Sequence, residues 1–330
     1  MSNWLVFVLF ILSGISTFFI ASRLSVFGDA VKEKSRASST FMGAIIGIAI
    51  SLPELTSSVT AIIIDSPDLA VGNLIGSNLF NIMGLAIFDI VYRRYQILTH
   101  ATVESKLYGW LVILMTLIVM LGLTFSLPTH IFHVSYTAIA TILIYFIGSK
   151  LINDRTEYKG RKVKREDKNK KYSEYTYRQV LFHFIVSAVL IMIIGSVLTI
   201  TAERISAITG IGASFIGAFL VAISTSLPDA VSVGTALKLR NFNLGISSLL
   251  GSNAFNLMIL AITDLMYFRG NLLQGSSPAN LLTGAASILF ILLIIFSISR
   301  RKAKAWNYLW PSFLIIASYF VTTYFVFQIK

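Results

Sequence analysis

Two acids in this chain sit where an acid is expensive. Glu54 ends the phrase Ser51-Leu52-Pro53-Glu54, and Asp229 ends Ser226-Leu227-Pro228-Asp229; both phrases lie inside apolar stretches. A carboxylate at membrane depth marks a functional site by default. Each phrase is followed at the same distance by a second one, Gly76-Ser77-Asn78-Leu79-Phe80-Asn81 and Gly251-Ser252-Asn253-Ala254-Phe255-Asn256. The offset is 175 throughout, and without a gap 43–92 and 218–267 agree at 20 of 50 positions. The proline before each acid cannot donate to the carbonyl a turn earlier, which loosens oxygens near Gly47–Ile50 and Ala222–Thr225. Each copy therefore offers a carboxylate, hydroxyls (Ser51; Thr225 and Ser226), loosened carbonyls and amides. These are hard oxygen ligands, suited to Ca2+ and Na+ and unsuited to zinc or copper. A proline kink with an incidentally paired acid would account for one such copy. Two at identical spacing point to an ion-binding site, since a buried charge needs compensation.

The elements that position these residues are membrane spans. Of 330 residues, 55% are hydrophobic and 13% charged, with a mean hydropathy of +0.78. The charged share is about half that of a soluble domain. The expected fold class is an all-α polytopic membrane protein of ten spans, near 4–22, 38–64, 69–92, 107–126, 132–149, 179–201, 211–237, 243–267, 280–299 and 307–327. The start lacks a basic n-region and reads as a retained first helix. The absence of cysteine removes disulfide and thiolate chemistry. No nucleophile–base pair or phosphate loop supports an enzyme.

The net charge of +12 reflects topology and does not imply nucleic acid. With both termini on one side, 24 of the 27 Lys and Arg fall in the opposite loops. The positive-inside rule puts those loops in the cytoplasm and both termini outside. Five spans separate corresponding repeat positions, so the second half is inverted, and inverted repeats hold their site near the midplane where the halves meet. The expected domains are a first five-helix repeat at 1–150 (core about 43–92), a basic cytoplasmic linker at 151–178 and a second repeat at 179–330 (core about 218–267). The linker reads as a solvated connection, the alternative being a contact for anionic lipid headgroups.

These doubled motifs resemble the α-repeats of the cation/calcium antiporter superfamily, in its sodium/calcium exchanger branch. The resemblance in topology covers all ten spans; the specific motifs lie in spans two, three, seven and eight. It implies that Glu54 and Asp229 are the central Ca2+ carboxylates, helped by backbone oxygens near Ile50 and Thr225. It implies that Na+ uses the same acids with oxygens at Gly47, Ser51, Ser77, Ala222, Thr225, Ser226 and Ser252, and that Asn81 and Asn256 complete the centre. Ca2+ and Na+ would then compete, and spans one and six would slide across a fixed core. No cofactor is implied; the ions are the substrates. The competing readings are a proton-coupled Ca2+ antiporter, whose Gly-Asn-Ala-x-Glu pattern is absent here, and a passive cation channel.

Departures from the family pattern carry information. Potassium-dependent relatives have an acid where this chain has Asn256, which argues against potassium co-transport. Ile50 lacks the hydroxyl that Thr225 keeps, which bears on the number of sodium ions. The lack of a large regulatory domain implies a prokaryotic source and its plasma membrane. Asn78 and Asn253 read as either ligands or interhelical hydrogen bonds. Asp89 is expected to pair with Arg93 one turn on; its repeat mate Asp264 has no such partner in sequence. His130 and His133 read as surface residues.

Overall fold

The computed structural model describes residues 2–35, 47–125, 130–131, 134–159, 175–274, 276–300 and 305–329. Most of the basic linker, His133 and the segment 36–46 lie outside these. The described helices are α1 (Asn3–Lys34), α2 (Leu52–Ile63), α3 (Pro67–Val91), α4 (Val103–Thr124), α5 (Tyr136–Lys159), α6 (Tyr177–Thr209), α7 (Ala213–Lys238), α8 (Phe242–Met266), α9 (Ala279–Ser299) and α10 (Ala305–Gln328). Among the described residues, nine are long and apolar enough to cross a membrane, and α2 is the shorter apolar helix. A four-residue helical stretch at 47–50 precedes α2. The only strands described are β1 (His130–Ile131) and β2 (Val134–Ser135), a two-residue antiparallel ladder before α5. The chain is an all-α polytopic membrane protein, as lipid demands: backbone polar groups there must be satisfied within the segment.

Two helices are far longer than a membrane span needs. α1 has 32 residues and α6 has 33. At 1.5 Å per residue each is about 50 Å long, well beyond a hydrocarbon core of about 30 Å. Nothing in the sequence stops α1 before Ser35. α6 starts at a Thr176/Gln179 capping box and stops at Gly210, whose φ of 71° suits the left-handed cap that glycine accepts without strain.

The two prolines act differently. Pro53 opens α2, and the helix is broken at Ser51. Pro228 lies within α7 without a break, and a π-helical stretch at Ile216–Val221 ends just before the expected Ala222–Thr225. Such stretches are frequent at functional positions.

The repeat is visible in the turns. Asp65 and Arg240, 175 apart, are both non-glycine residues with φ near 60°. Ser66 N donates to the Ala61 carbonyl and Asn241 N to the Ala236 carbonyl, at 2.8 and 2.9 Å. The same backbone motif thus closes α2 and α7, with opposite charges at its apex. Asp65 accepts from the Tyr267 hydroxyl at 2.8 Å and pairs with Arg269 at 2.9 Å. Those two partners hold its carboxyl below the usual range. Arg240 lies 5.4 Å over the Tyr95 ring.

The core is built on α3 and α8. α7 crosses α3 at backbone contact: a Cβ on Gly76 would lie 2.2 Å from the Ala218 carbonyl oxygen. Small residues drive such approaches in lipid, where burial of apolar surface does not. α1 and α6 pack on each other outside this core. α6 holds to α2 and the turn after it through polar contacts: Thr60 with Ser196 at 3.0 Å, Thr199 Oγ1 donating to the Ser57 carbonyl at 3.3 Å, and Ser66 Oγ, ahead of α3, donating to Glu203 at 2.6 Å.

Asp89 does not serve Arg93. It is fully buried and accepts from the hydroxyls of Tyr308 and Ser312 on α10, the latter at 2.7 Å. Its repeat mate Asp264 accepts from Ser135, ahead of α5, and from Leu272 N at 3.0 Å. Each acid ties the third helix of one repeat to the fifth helix of the other. A local i, i+4 rule sees neither partner, because both are more than 120 residues away in the chain.

Candidate functional site

Spans two, three, seven and eight bring the doubled motifs together at the centre. Glu54 is 1% exposed and Asp229 9%. Glu54 accepts from Ser226 Oγ at 3.3 Å, a residue of the other repeat. Asp229 accepts from Ser252 Oγ at 2.6 Å and from the Asn81 amide. The two acids are close enough for the Asp229 charge to act on Glu54. Among the described residues neither acid has a Lys or Arg at ion-pair distance. Two buried, mutually repelling carboxylates without a basic partner need a bound cation or a proton to offset their charge.

The four asparagines form one buried knot between α3 and α8. Asn78 Nδ2 donates to the Asn253 carbonyl at 3.0 Å, and Asn253 Nδ2 to the Asn78 carbonyl at 3.1 Å. Asn81 Nδ2 donates to Asn253 Oδ1 at 2.9 Å and Asn256 Nδ2 to Asn78 Oδ1 at 3.1 Å. These bonds exchange into one another under the repeat operation, as a two-fold axis through the α3–α8 contact requires. Within the Gly-Ser-Asn-x-x-Asn motifs, three buried oxygens have no hydrogen-bond partner among the described residues: Ser77 Oγ, Asn81 Oδ1 and Asn256 Oδ1. Buried polar atoms are rarely left so, and oxygens are what a hard cation needs.

The other expected ligands divide by half. Thr225 and Ala222 are buried in α7; Thr225 Oγ1 lies 3.3 Å from Asn73 Oδ1 and equally from the Ala222 carbonyl. Asn73 in turn donates to Ser58 at 3.2 Å. The repeat mates of that relay are Ile50, Ser248 and Val233, of which Ser248 is exposed, Ile50 half-buried and Val233 buried. They line a cavity of about 490 Å³ with Gly47, Ser51, Ser252 and Asp229. The first half-site is thus packed shut while the second is open as far as Asp229. Gly251 shows the same contrast: no described residue lies within 4 Å of a Cβ placed there. Asn73 was not legible in the sequence, because its mate Ser248 is not an amide and the doubling that marked the other residues is broken there.

A model of the sodium/calcium exchanger protein family matches residues 5–151 and 180–328. No curated protein matches the chain in sequence. Solved structures do match in fold. Native YfkE is 15% identical with a TM-score of 0.69, covering 98% of this chain and 92% of its own. The H+/Ca2+ exchanger CAX is 14% identical with a TM-score of 0.66, covering 98% and 90%. The sodium-calcium exchanger NCX_Mj is 19% identical with a TM-score of 0.56, covering 97% and 98%.

Proposed function

From the premise that the chain belongs to the sodium/calcium exchanger protein family, within the cation/calcium exchangers, we propose that it exchanges Ca2+ for Na+ at one shared central site. Membrane antiport of Ca2+ and another cation is the activity of the family; the coupling ion is the finer reading. The observation that carries it is the pair Glu54 and Asp229, buried without basic partners and bracketed by free amide oxygens. Two carboxylates carry two negative charges, which one Ca2+ balances. Two Na+ balance them as well, and a third would leave the loaded site positive and make exchange electrogenic. Carriers of this kind expose one site alternately to the two faces.

The cavity supports an inward-facing arrangement. Its lining lies toward the starts of α4 (Tyr108) and α8 (Ser248–Ser252) and reaches mid-α5 (Tyr145). The starts of α4 and α8 adjoin Lys- and Arg-rich loops, which the positive-inside rule assigns to the cytoplasm. Both termini then lie outside, the basic linker inside, and the two repeats run over 1–150 and 179–330.

Proton-coupled exchange is the second reading. It is favoured by Ile50, which faces the cavity without a hydroxyl for sodium, and by the fold's likeness to CAX, named as an H+/Ca2+ exchanger. Radiolabelled Ca2+ uptake into vesicles separates the readings, with Na+, K+ and proton gradients imposed one at a time. The Na+ gradient alone is expected to drive uptake, and K+ to be without effect. Uptake driven only by protons would replace Na+ as the coupling ion; uptake with no counter-ion would indicate a channel.

A further inference from the structure

An asparagine amide has two nearly isosteric ends of opposite character: an oxygen that binds cations and an NH2 that repels them. Which end of a buried amide faces a site is therefore chemistry, and something must fix it. Here the fixing begins at atoms that can only accept. The Asn78 backbone carbonyl takes Asn253 Nδ2, so Asn253 presents its Oδ1 onward, and that oxygen takes Asn81 Nδ2. The Asn253 carbonyl takes Asn78 Nδ2, so Asn78 presents its Oδ1, and that oxygen takes Asn256 Nδ2. Each chain ends at an oxygen with no partner, Asn81 Oδ1 and Asn256 Oδ1. All four side chains are at most 2% exposed, so water does not relax the constraint. Turning either terminal amide over would set oxygen against oxygen within the knot.

We infer that Asn78 and Asn253 are positioning residues, which fix the polarity of the Asn256 and Asn81 amides so that their oxygens stay free for the transported cation; Asn78 does so alone, while Asn253 shares the Asn81 amide with Asp229. The inference rests on the proposed central site. It differs from a purely structural role, in which the knot only holds α3 to α8. A structural role predicts the same loss whatever stands at 256. A polarity role predicts a loss that disappears when the residue at 256 has oxygen at both ends.

The test is a double-mutant cycle on the full-length protein: wild type, Asn78→Leu, Asn256→Asp and the double variant, with Ca2+ affinity measured by titration of Ca2+ alone. Asn78→Leu is expected to weaken binding roughly tenfold beside Asn256 and under about threefold beside an aspartate, a coupling of the size found for residues in contact. Equal losses in both backgrounds would overturn the inference and leave the central site intact. If neither Asn256→Asp nor Glu54→Gln alters Ca2+ affinity, the central-site reading fails, and this inference with it. Should Asn78→Leu not fold, the repeat-related cycle of Asn253→Leu with Asn81→Asp takes its place, with a smaller but non-zero coupling expected because Asp229 also holds the Asn81 amide; no coupling there would overturn the inference. Failure of both leucine variants to fold, while Glu54→Gln folds, would make the amides determinants of the fold and refute the positioning role.

Discussion

Gly76→Ala and Gly251→Ala make the same change at two positions that the sequence treats as equivalent, and they are expected to behave in opposite ways. A Cβ on Gly76 would lie 2.2 Å from the Ala218 carbonyl oxygen and 2.3 Å from its Cα. Ordinary contact begins at 3.4 Å, so α3 and α7 would have to part by about 1 Å in an interior that is otherwise close-packed. The obstacle is backbone, which cannot turn aside like a side chain. The parting would also loosen the nearby contact at Gly217, where a Cβ would be 2.7 Å from the Leu69 carbonyl oxygen. Overpacking costs about 1–3 kcal/mol, and two facing backbones put this case at the upper end, about 3 kcal/mol. A chain of this length would then melt roughly 5 °C lower. Gly251→Ala places its methyl where no described residue lies within 4 Å, at the edge of the cavity, and its melting temperature should stay within about 1 °C of wild type. With no cysteine in the chain, thiol-reactive dyes cannot report unfolding. The assay is instead the fraction surviving size-exclusion chromatography after heating, an operational stability. A Gly76→Ala protein as stable as wild type, or a Gly251→Ala protein equally damaged, would refute the asymmetry of the two half-sites.

Three further outcomes are expected. Glu54→Gln or Asp229→Asn should abolish Ca2+ transport while leaving a folded, monodisperse protein, because a divalent cation needs carboxylate charge to replace its hydration; near-normal flux through either would sink the site. Tyr308→Phe should cost about 1–3 kcal/mol, measured as lowered thermal stability, since it strips a donor from buried Asp89 and leaves Leu98 N, 3.1 Å from the same hydroxyl, without that acceptor; Arg93→Ala should leave stability unchanged, and the reverse pattern would restore the local pairing. Asp65 titrates below its ordinary 3.8 because Tyr267 and Arg269 bond its ionised form, so its contribution is present above 3.8 and is lost as pH falls through the folded value. The small gap in melting temperature between wild type and Asp65→Asn should therefore close on acidification below pH 3.8, and a gap that widened there would contradict the assignment.

The sequence alone determined what was repeated and what lipid forbids. The offset of 175 marks Glu54 with Asp229, Asn81 with Asn256 and even Asp89 with Asp264. A carboxylate in an apolar span is so costly that its presence is already a statement about function. The length of apolar runs, and the lopsided placement of Lys and Arg, follow from the same solvent and were legible without coordinates. Partners across the chain were not. Asp89 meets Tyr308 and Asp264 meets Ser135 because the fifth helix of each repeat packs against the other repeat, and no local spacing records that crossing. Nor could the sequence say that two nearly equal motifs stand in unequal surroundings, with Thr225 sealed against Asn73 while Ile50 faces a cavity. The same α7–α3 approach that buries one half-site leaves its mate open, so the difference lies in how the helices pack. The polarity of the amides was likewise decided only by tertiary structure, because it is set by backbone carbonyls that any sequence would possess, brought within 3.1 Å of a side chain 175 residues away.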